Sequence, residues 1–370
     1  MKNRKFILIA LLFSIGMILA ACGGGSGNEE GGNGNSGNEE GGNASESSDF
    51  SAAMVTDVGG VDDKSFNQSA WEGLKAWGES HNMSKGEGFN YAQSNAKSDY
   101  LPNLNRLVKQ NYNLIFGIGY KLHDAIDKVA DQYPDTKFAI VDDVVEKPNV
   151  ASITFKEHQG SFLVGVAAAM KTETNKVGFV GGTDSPLINK FEAGFEAGVK
   201  SVNPDIEVMI QYAESFAAAD KGKQIASYMY SNDADVIYHA SGATGNGVFA
   251  QAKDIKKNNP ERSIWVIGVD RDQHEEGQIG DHNVTLTSMV KRVDVAVEDV
   301  ANQAMEGEFP GGEVLAYGLE DGGVSVAKTN EEALTDEIVK EIESWKEKII
   351  NEDVKVPQTR EEAEEYVNGL

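Results

Sequence analysis

The chain has one cysteine, Cys22, in 370 residues. A lone thiol closes no internal disulfide, so the fold must rest on its apolar core. Histidine is also scarce: there are six, and only His274 and His282 are near neighbours, without metal-ligand spacing. The sequence contains no G-x-S-x-G, no phosphate-binding Walker loop and no H-E-x-x-H. Basic residues are outnumbered, 33 against 59 acidic ones, for a net charge of −26. That disfavours nucleic acid and anionic lipid as partners, and most of it reads as a solvated acidic surface. With carboxylates this abundant, counts alone leave a catalytic pair open.

What is present begins with an address. Lys2, Arg4 and Lys5 precede an apolar run from Phe6 to Ala21, broken only by Ser14 and Gly16. The run is short for a membrane span and suits a secretory signal. It ends in "LAAC", a lipobox pattern: Cys22 is the expected lipidation site, with residues 1–21 removed. Residues 23–48 are Gly, Asn, Glu and Ser with almost nothing apolar, the composition of a flexible tether, so 22–49 is expected to be the lipidated cysteine and its linker. About 320 residues remain, more than one core comfortably serves, so two domains are expected.

This body alternates strand and helix. Strands are expected at 51–57, 88–94, 113–119, 137–143 and 150–155, then at 176–182, 206–212, 235–241, 263–270 and 284–290. Helices are expected at 161–170, 186–201, 219–231 and 292–305. Continuous apolar strands joined by helices argue for parallel sheets covered on both faces. The fold class is α/β, with two doubly wound lobes facing one cleft. Strand 284–290 and helix 292–305 are expected to cross back to the first lobe. Lobe 1 is then 50–156 plus about 286–320, and lobe 2 is 157–285 plus about 321–370. Near the C-terminus, Leu334, Ile338, Ile342, Trp345 and Ile349 mark one face of an amphipathic helix.

Three strands end in aspartate: Asp57, Asp142 and Asp270. Each alone could cap a helix. Together, at strand ends that converge on the cleft, they point to a shared site. Carboxylates suit vicinal hydroxyls and repel phosphate. Gly242, in "HASGATGNGV", lets backbone N–H groups approach a ligand, or forms a plain tight turn. Lys291 stands at a helix start, the wrong end for a cation, which hints at a role beyond the helix. Phe216, in a loop, is either core packing or a stacking platform. Ser65 and Gln68 form an S-x-x-Q capping-box pattern that starts a helix at Ser65.

"DVGGVDDKSFNQSAWEG" resembles the signature turn of the basic membrane protein family, substrate-binding lipoproteins of ABC importers whose best-known members are purine nucleoside receptors. The resemblance continues through "FAIVDD", "FKEHQGSFLVGVAAA", "VGFVGGTDSPLINKFEAGFEAG", "YAESFAAADKGKQIA", "SGATGNGV", "VIGVDRDQ" and "TSMVKRVD", from about 51 to 325. It implies a type I periplasmic-binding-protein fold, two α/β lobes with a three-strand hinge. It also implies that Phe66 and Phe216 sandwich a base, and that Asn67 and Asp142 read the base edge. Asp57, Asp270 and Lys291, with the Gly242 backbone, would hold the ribose. The expected protein is a monomer, lipid-anchored at Cys22 and facing outside the cytoplasmic membrane. It needs no cofactor, metal or nucleic acid, performs no chemistry, and delivers its ligand to ABC permease subunits.

Other readings stay open. A sugar-binding protein of the same fold would keep the aspartates without needing paired phenylalanines. A nucleoside hydrolase would need an aspartate cluster, but "DVGGVDD" does not match D-x-D-x-x-x-D-D spacing. A sensor domain would bring a DNA-binding or signalling segment, and the sequence has none.

Overall fold

The computed structural model describes residues 50–370. The expected leader, Cys22 and the tether lie outside the described residues.

The first sheet is built from near-continuous buried runs. β1 (Ala52–Val55) is followed by α1 (Phe66–Ser80), β2 (Phe89–Ala92), α2 (Tyr100–Lys109) and β3 (Leu114–Ile118). α3 (His123–Gln132), β4 (Lys137–Val141) and β5 (Val150–Phe155) complete the series. After α4 (Glu157–Lys171) a second series begins: β6 (Lys176–Gly181), α5 (Pro186–Val202), β7 (Glu207–Tyr212), α6 (Ala219–Ser231) and β8 (Val236–Ala240). It continues with α7 (Gly245–Asn258), β9 (Trp265–Asp270), a small hairpin of β10 (Gln278–Ile279) and β11 (His282–Asn283), and β12 (Thr285–Lys291). The chain then adds α8 (Val293–Glu306), β13 (Val314–Tyr317), β14 (Val324–Val326), α9 (Asp336–Ile350) and α10 (Arg360–Asn368).

The two large sheets have six strands each, in the orders β13-β5-β4-β3-β1-β2 and β14-β12-β9-β8-β6-β7. Every pairing in them is parallel except that of β12 with β14. Apart from the edge strands β13 and β14, the two orders are the same. In each, the strand order reverses between the first strand of the series and its third, which places a crevice at the carboxyl ends of β1/β3 and of β6/β8.

Within the described residues the chain passes between the sheets three times: after Phe155, after Lys291, and between Tyr317 and Val324. β12 belongs to the second sheet, so the crossing expected at its start comes at its end instead. Its seven residues are nearly all buried, and it sits as an interior strand between β9 and β14. The helix that follows, α8, packs on α1 of the first lobe. α9 lies against α4, burying Ile338, Ile342 and Ile349 as the apolar stripe predicts.

Candidate functional site

The turn after β1 is a closed hydrogen-bond network. Asp57 Oδ1 accepts from the Gly59 N–H at 2.9 Å and from Asn67 Nδ2 at 2.7 Å. Asn67 Oδ1 accepts from the Asp57 N–H at 3.2 Å, and its second amide N–H goes to Asp63 Oδ2 at 3.0 Å. Asp63 also accepts from the backbone N–H groups of Ser65, Asn67 and Gln68, at 2.9, 3.0 and 3.1 Å. A side chain added at Gly59 would meet Asn67 Nδ2 at 2.8 Å, so only glycine leaves room for the network.

Asp63, not Ser65, therefore caps α1. Ser65 occupies the N-cap position but makes no side-chain cap bond, so the expected capping box does not form. A carboxylate is a stronger acceptor for these N–H groups than a hydroxyl. The Ser65 hydroxyl instead donates across the cleft to Asp270 Oδ2.

Two of the three strand-end aspartates sit in the left-handed backbone region, Asp142 at φ 68° and Asp270 at φ 66°. Aspartate tolerates this better than most residues, and such strain concentrates at functional sites. Both face Lys291, the last residue of β12 rather than a helix start. Its ammonium lies 2.7 Å from Asp142 Oδ2 and 3.7 Å from Asp270 Oδ1. Lys291 is 2% exposed. Burial opposes its charge, but Asp142, Asp270 and the buried Glu157 together hold it protonated and raise its pKa. Burial pushes Asp270 up to about 6 against the pull of Lys291 and Ser65, and raises Asp57 and Asp63 as well. Asp142 Oδ1 is buried without a hydrogen-bond partner among the described residues. The neighbouring Asp143 turns away and pairs with His123 at 3.0 Å, so Asp142 is the aspartate of this strand that reaches the cavity.

The aromatic residues complete the walls. Phe66 opens α1, with the Lys291 ammonium 4.7 Å from its ring centre. Phe216 lies in the loop between β7 and α6, with the Lys121 ammonium 4.5 Å from its ring and the Tyr120 ring edge-on at 6.4 Å. Gly242, at φ 56°, turns the chain beside the Phe216 backbone.

All eight residues expected in the cleft line one cavity. Counted out to its mouth and including open solvent, its empty space is about 560 Å³. The sequence reading missed Asp63, Tyr120, Lys121 and the apolar Leu187, Ile188 and Phe191 of α5, which line it too. Tyr120 and Lys121 follow β3 directly, so the strand-end rule that found the aspartates reaches them as well. Direct contacts join the lobes around it: Lys121 Nζ to Thr183 at 3.1 Å, Gln273 Nε2 to the Lys64 carbonyl at 2.9 Å, and a two-bond Arg271–Glu72 pair at 2.9 and 3.0 Å. Among the described residues no cluster of His, Cys, Asp or Glu could hold a metal ion.

Comparison with known proteins agrees with this architecture. A family model described as "ABC transporter substrate-binding protein PnrA-like" matches residues 50–360. The chain is 52% identical over 366 residues to the "CD4+ T-cell-stimulating antigen" of Listeria monocytogenes, covering 97% of this chain and 99% of that one. It is 43% identical over 364 residues to the "ABC transporter nucleoside-binding protein BmpA" of Lactococcus lactis subsp. cremoris, covering 96% and 99%. A solved ABC transporter solute-binding protein from Aeropyrum pernix superposes with a TM-score of 0.76 at 25% identity, over 86% of this chain and 98% of that one. The fold is the two-lobed α/β architecture of solute-binding proteins, and the chain belongs to the PnrA-like family of ABC transporter substrate-binding proteins, which bind solutes rather than transform them.

Proposed function

We propose that this protein captures nucleosides, purine nucleosides above all, outside the cytoplasmic membrane and passes them to an ABC permease. One observation carries the reading: Phe66 of the first lobe and Phe216 of the second line the same cavity as four buried carboxylates and one buried ammonium. Aromatic faces suit a base, since stacking contributes roughly 1–3 kcal/mol per base. Asp57, Asp270 and Lys291 suit ribose hydroxyls, which both donate and accept. The unpartnered Asp142 Oδ1 suits an N–H on a base edge. The Gly242 backbone adds polar groups close to Phe216.

Charge narrows the class further. Asp57, Asp63, Asp142 and Asp270 outnumber Lys121 and Lys291 in the lining. A phosphate would meet this excess of negative charge in a desolvated site, so the ligand is a nucleoside and not a nucleotide. The Lactococcus relative, named as nucleoside-binding, supports the same class. Closure of the lobes would exclude water and strengthen each polar contact. In this reading Cys22 carries the lipid, residues 23–49 are the tether, and the monomer works without a cofactor.

Mass spectrometry of small molecules released from the purified protein tests the ligand class. A purine nucleoside is the expected species. A sugar without a base would favour the sugar-binding alternative, and free base accumulating on incubation would favour a hydrolase.

A further inference from the structure

Asn67 lines the cavity, yet both of its amide N–H groups are already used, on Asp57 Oδ1 and Asp63 Oδ2. The amide orientation is fixed by its surroundings. Rotated by half a turn, its oxygen would face two carboxylate oxygens and its nitrogen would face the Asp57 N–H, leaving three contacts repulsive. Asn67 therefore has no N–H to offer a ligand.

Asp63 is still more fully committed. It is 2% exposed, and its two oxygens accept four hydrogen bonds: from the backbone N–H groups of Ser65, Asn67 and Gln68, and from the Asn67 amide. It borders the cavity but has little left with which to bind. Asp57 differs. Its Oδ1 takes the Gly59 N–H and the Asn67 amide, while its Oδ2 accepts no hydrogen bond from the described residues. One carboxylate oxygen is pinned and the other is left for the ligand.

We propose that Asp63 and Asn67 are positioning residues for Asp57, holding its carboxylate so that Oδ2 alone meets a sugar hydroxyl, and that this relay sets discrimination between ribo- and deoxyribonucleosides. The inference rests on the nucleoside reading and departs from the expectation that Asn67 reads the base edge. A hydrogen bond to a fixed carboxylate contributes more than one to a carboxylate free to rotate, because no ordering entropy is lost on binding. The Asp63 backbone also accepts from Asn246 of the second lobe at 3.2 Å, so the relay is anchored on both sides of the cleft.

The test is calorimetry of the full-length protein with inosine, guanosine and their 2′- and 3′-deoxy forms. The wild type is compared with Asn67→Ala, Asp63→Asn, Asp57→Ala and the Asp57→Ala/Asn67→Ala double variant, and thermal unfolding of each reports folding separately. The relay predicts that Asn67→Ala and Asp63→Asn weaken ribonucleoside binding roughly tenfold or more, with little change for the deoxy form lacking the hydroxyl that Asp57 holds. It also predicts that the double variant binds like Asp57→Ala alone, because coupled residues are not additive. A mere helix cap would lower the unfolding temperature of Asp63→Asn and leave discrimination intact. Preserved discrimination in folded variants overturns the relay alone, as does a loss from Asn67→Ala that follows the base instead of the sugar. A wild type that binds no nucleoside overturns the relay and the nucleoside reading together.

Discussion

Lys291 carries the charge balance of the cavity. It is buried among Asp142, Asp270 and Glu157, and Lys190 lies 3.4 Å from Glu157, so two cations face three carboxylates. Such a set is stable only if some of its negative charge is neutralised or hydrogen-bonded. Asp270 shows the strain, with burial lifting its pKa to about 6 while Lys291 and Ser65 pull it down. Protonation would cost Asp270 an acceptor oxygen facing the ligand. Nucleoside affinity is therefore expected to be level above about pH 6 and to fall as pH drops through that value, because proton uptake then competes with binding. Calorimetry across this range checks it, and a flat profile would contradict it. Phe216 gives a second test at this scale. Its ring meets Lys121 and Tyr120 across the cleft and is only partly buried, so Phe216→Ala should leave the fold intact. It should cost about 1 kcal/mol or more of affinity; unchanged binding would make Phe216 a packing residue.

At the scale of elements, the second lobe depends on how closely α4 and α5 approach. A side-chain carbon at Gly198 would lie 2.0 Å from the Phe162 carbonyl oxygen, and one at Gly194 would lie 2.2 Å from that of His158. Both obstacles are backbone, so the helices would have to separate. Gly198→Ala is expected to lower stability by about 1–3 kcal/mol in urea unfolding, and an unchanged midpoint would contradict this account of the pair. The main strands were legible in the sequence because each is a near-continuous apolar run: β4 was expected at 137–143 and spans 137–141. β13 and β14 were not, being three or four residues long and partly exposed at sheet edges. α10 also went unread, with Ala363 its one buried residue; Arg360 holds it by a two-bond pair to the buried Glu192.

For the whole molecule, two sheets of matching strand order present their carboxyl ends to one cavity. That convergence is why Asp57, Asp142 and Asp270 were legible as a cluster: the topology of doubly wound sheets brings strand ends together whatever the loops do. The partnerships within the cluster were not legible. Nothing in "VDD" says that Asp142 would turn toward Lys291 while Asp143 turned to His123; a single left-handed residue decides it. Nor does S-x-x-Q say that Ser65 would leave its helix to donate to Asp270 across the cleft, since that bond forms only when two lobes some 200 residues apart in sequence meet. The most direct test of the central claim is calorimetry of the wild-type protein with inosine, guanosine, adenosine, uridine and free ribose. The account predicts purine nucleoside binding at micromolar affinity or better, about −8 kcal/mol, undisturbed by excess ribose. Absence of binding to every nucleoside, or displacement by ribose alone, would contradict it.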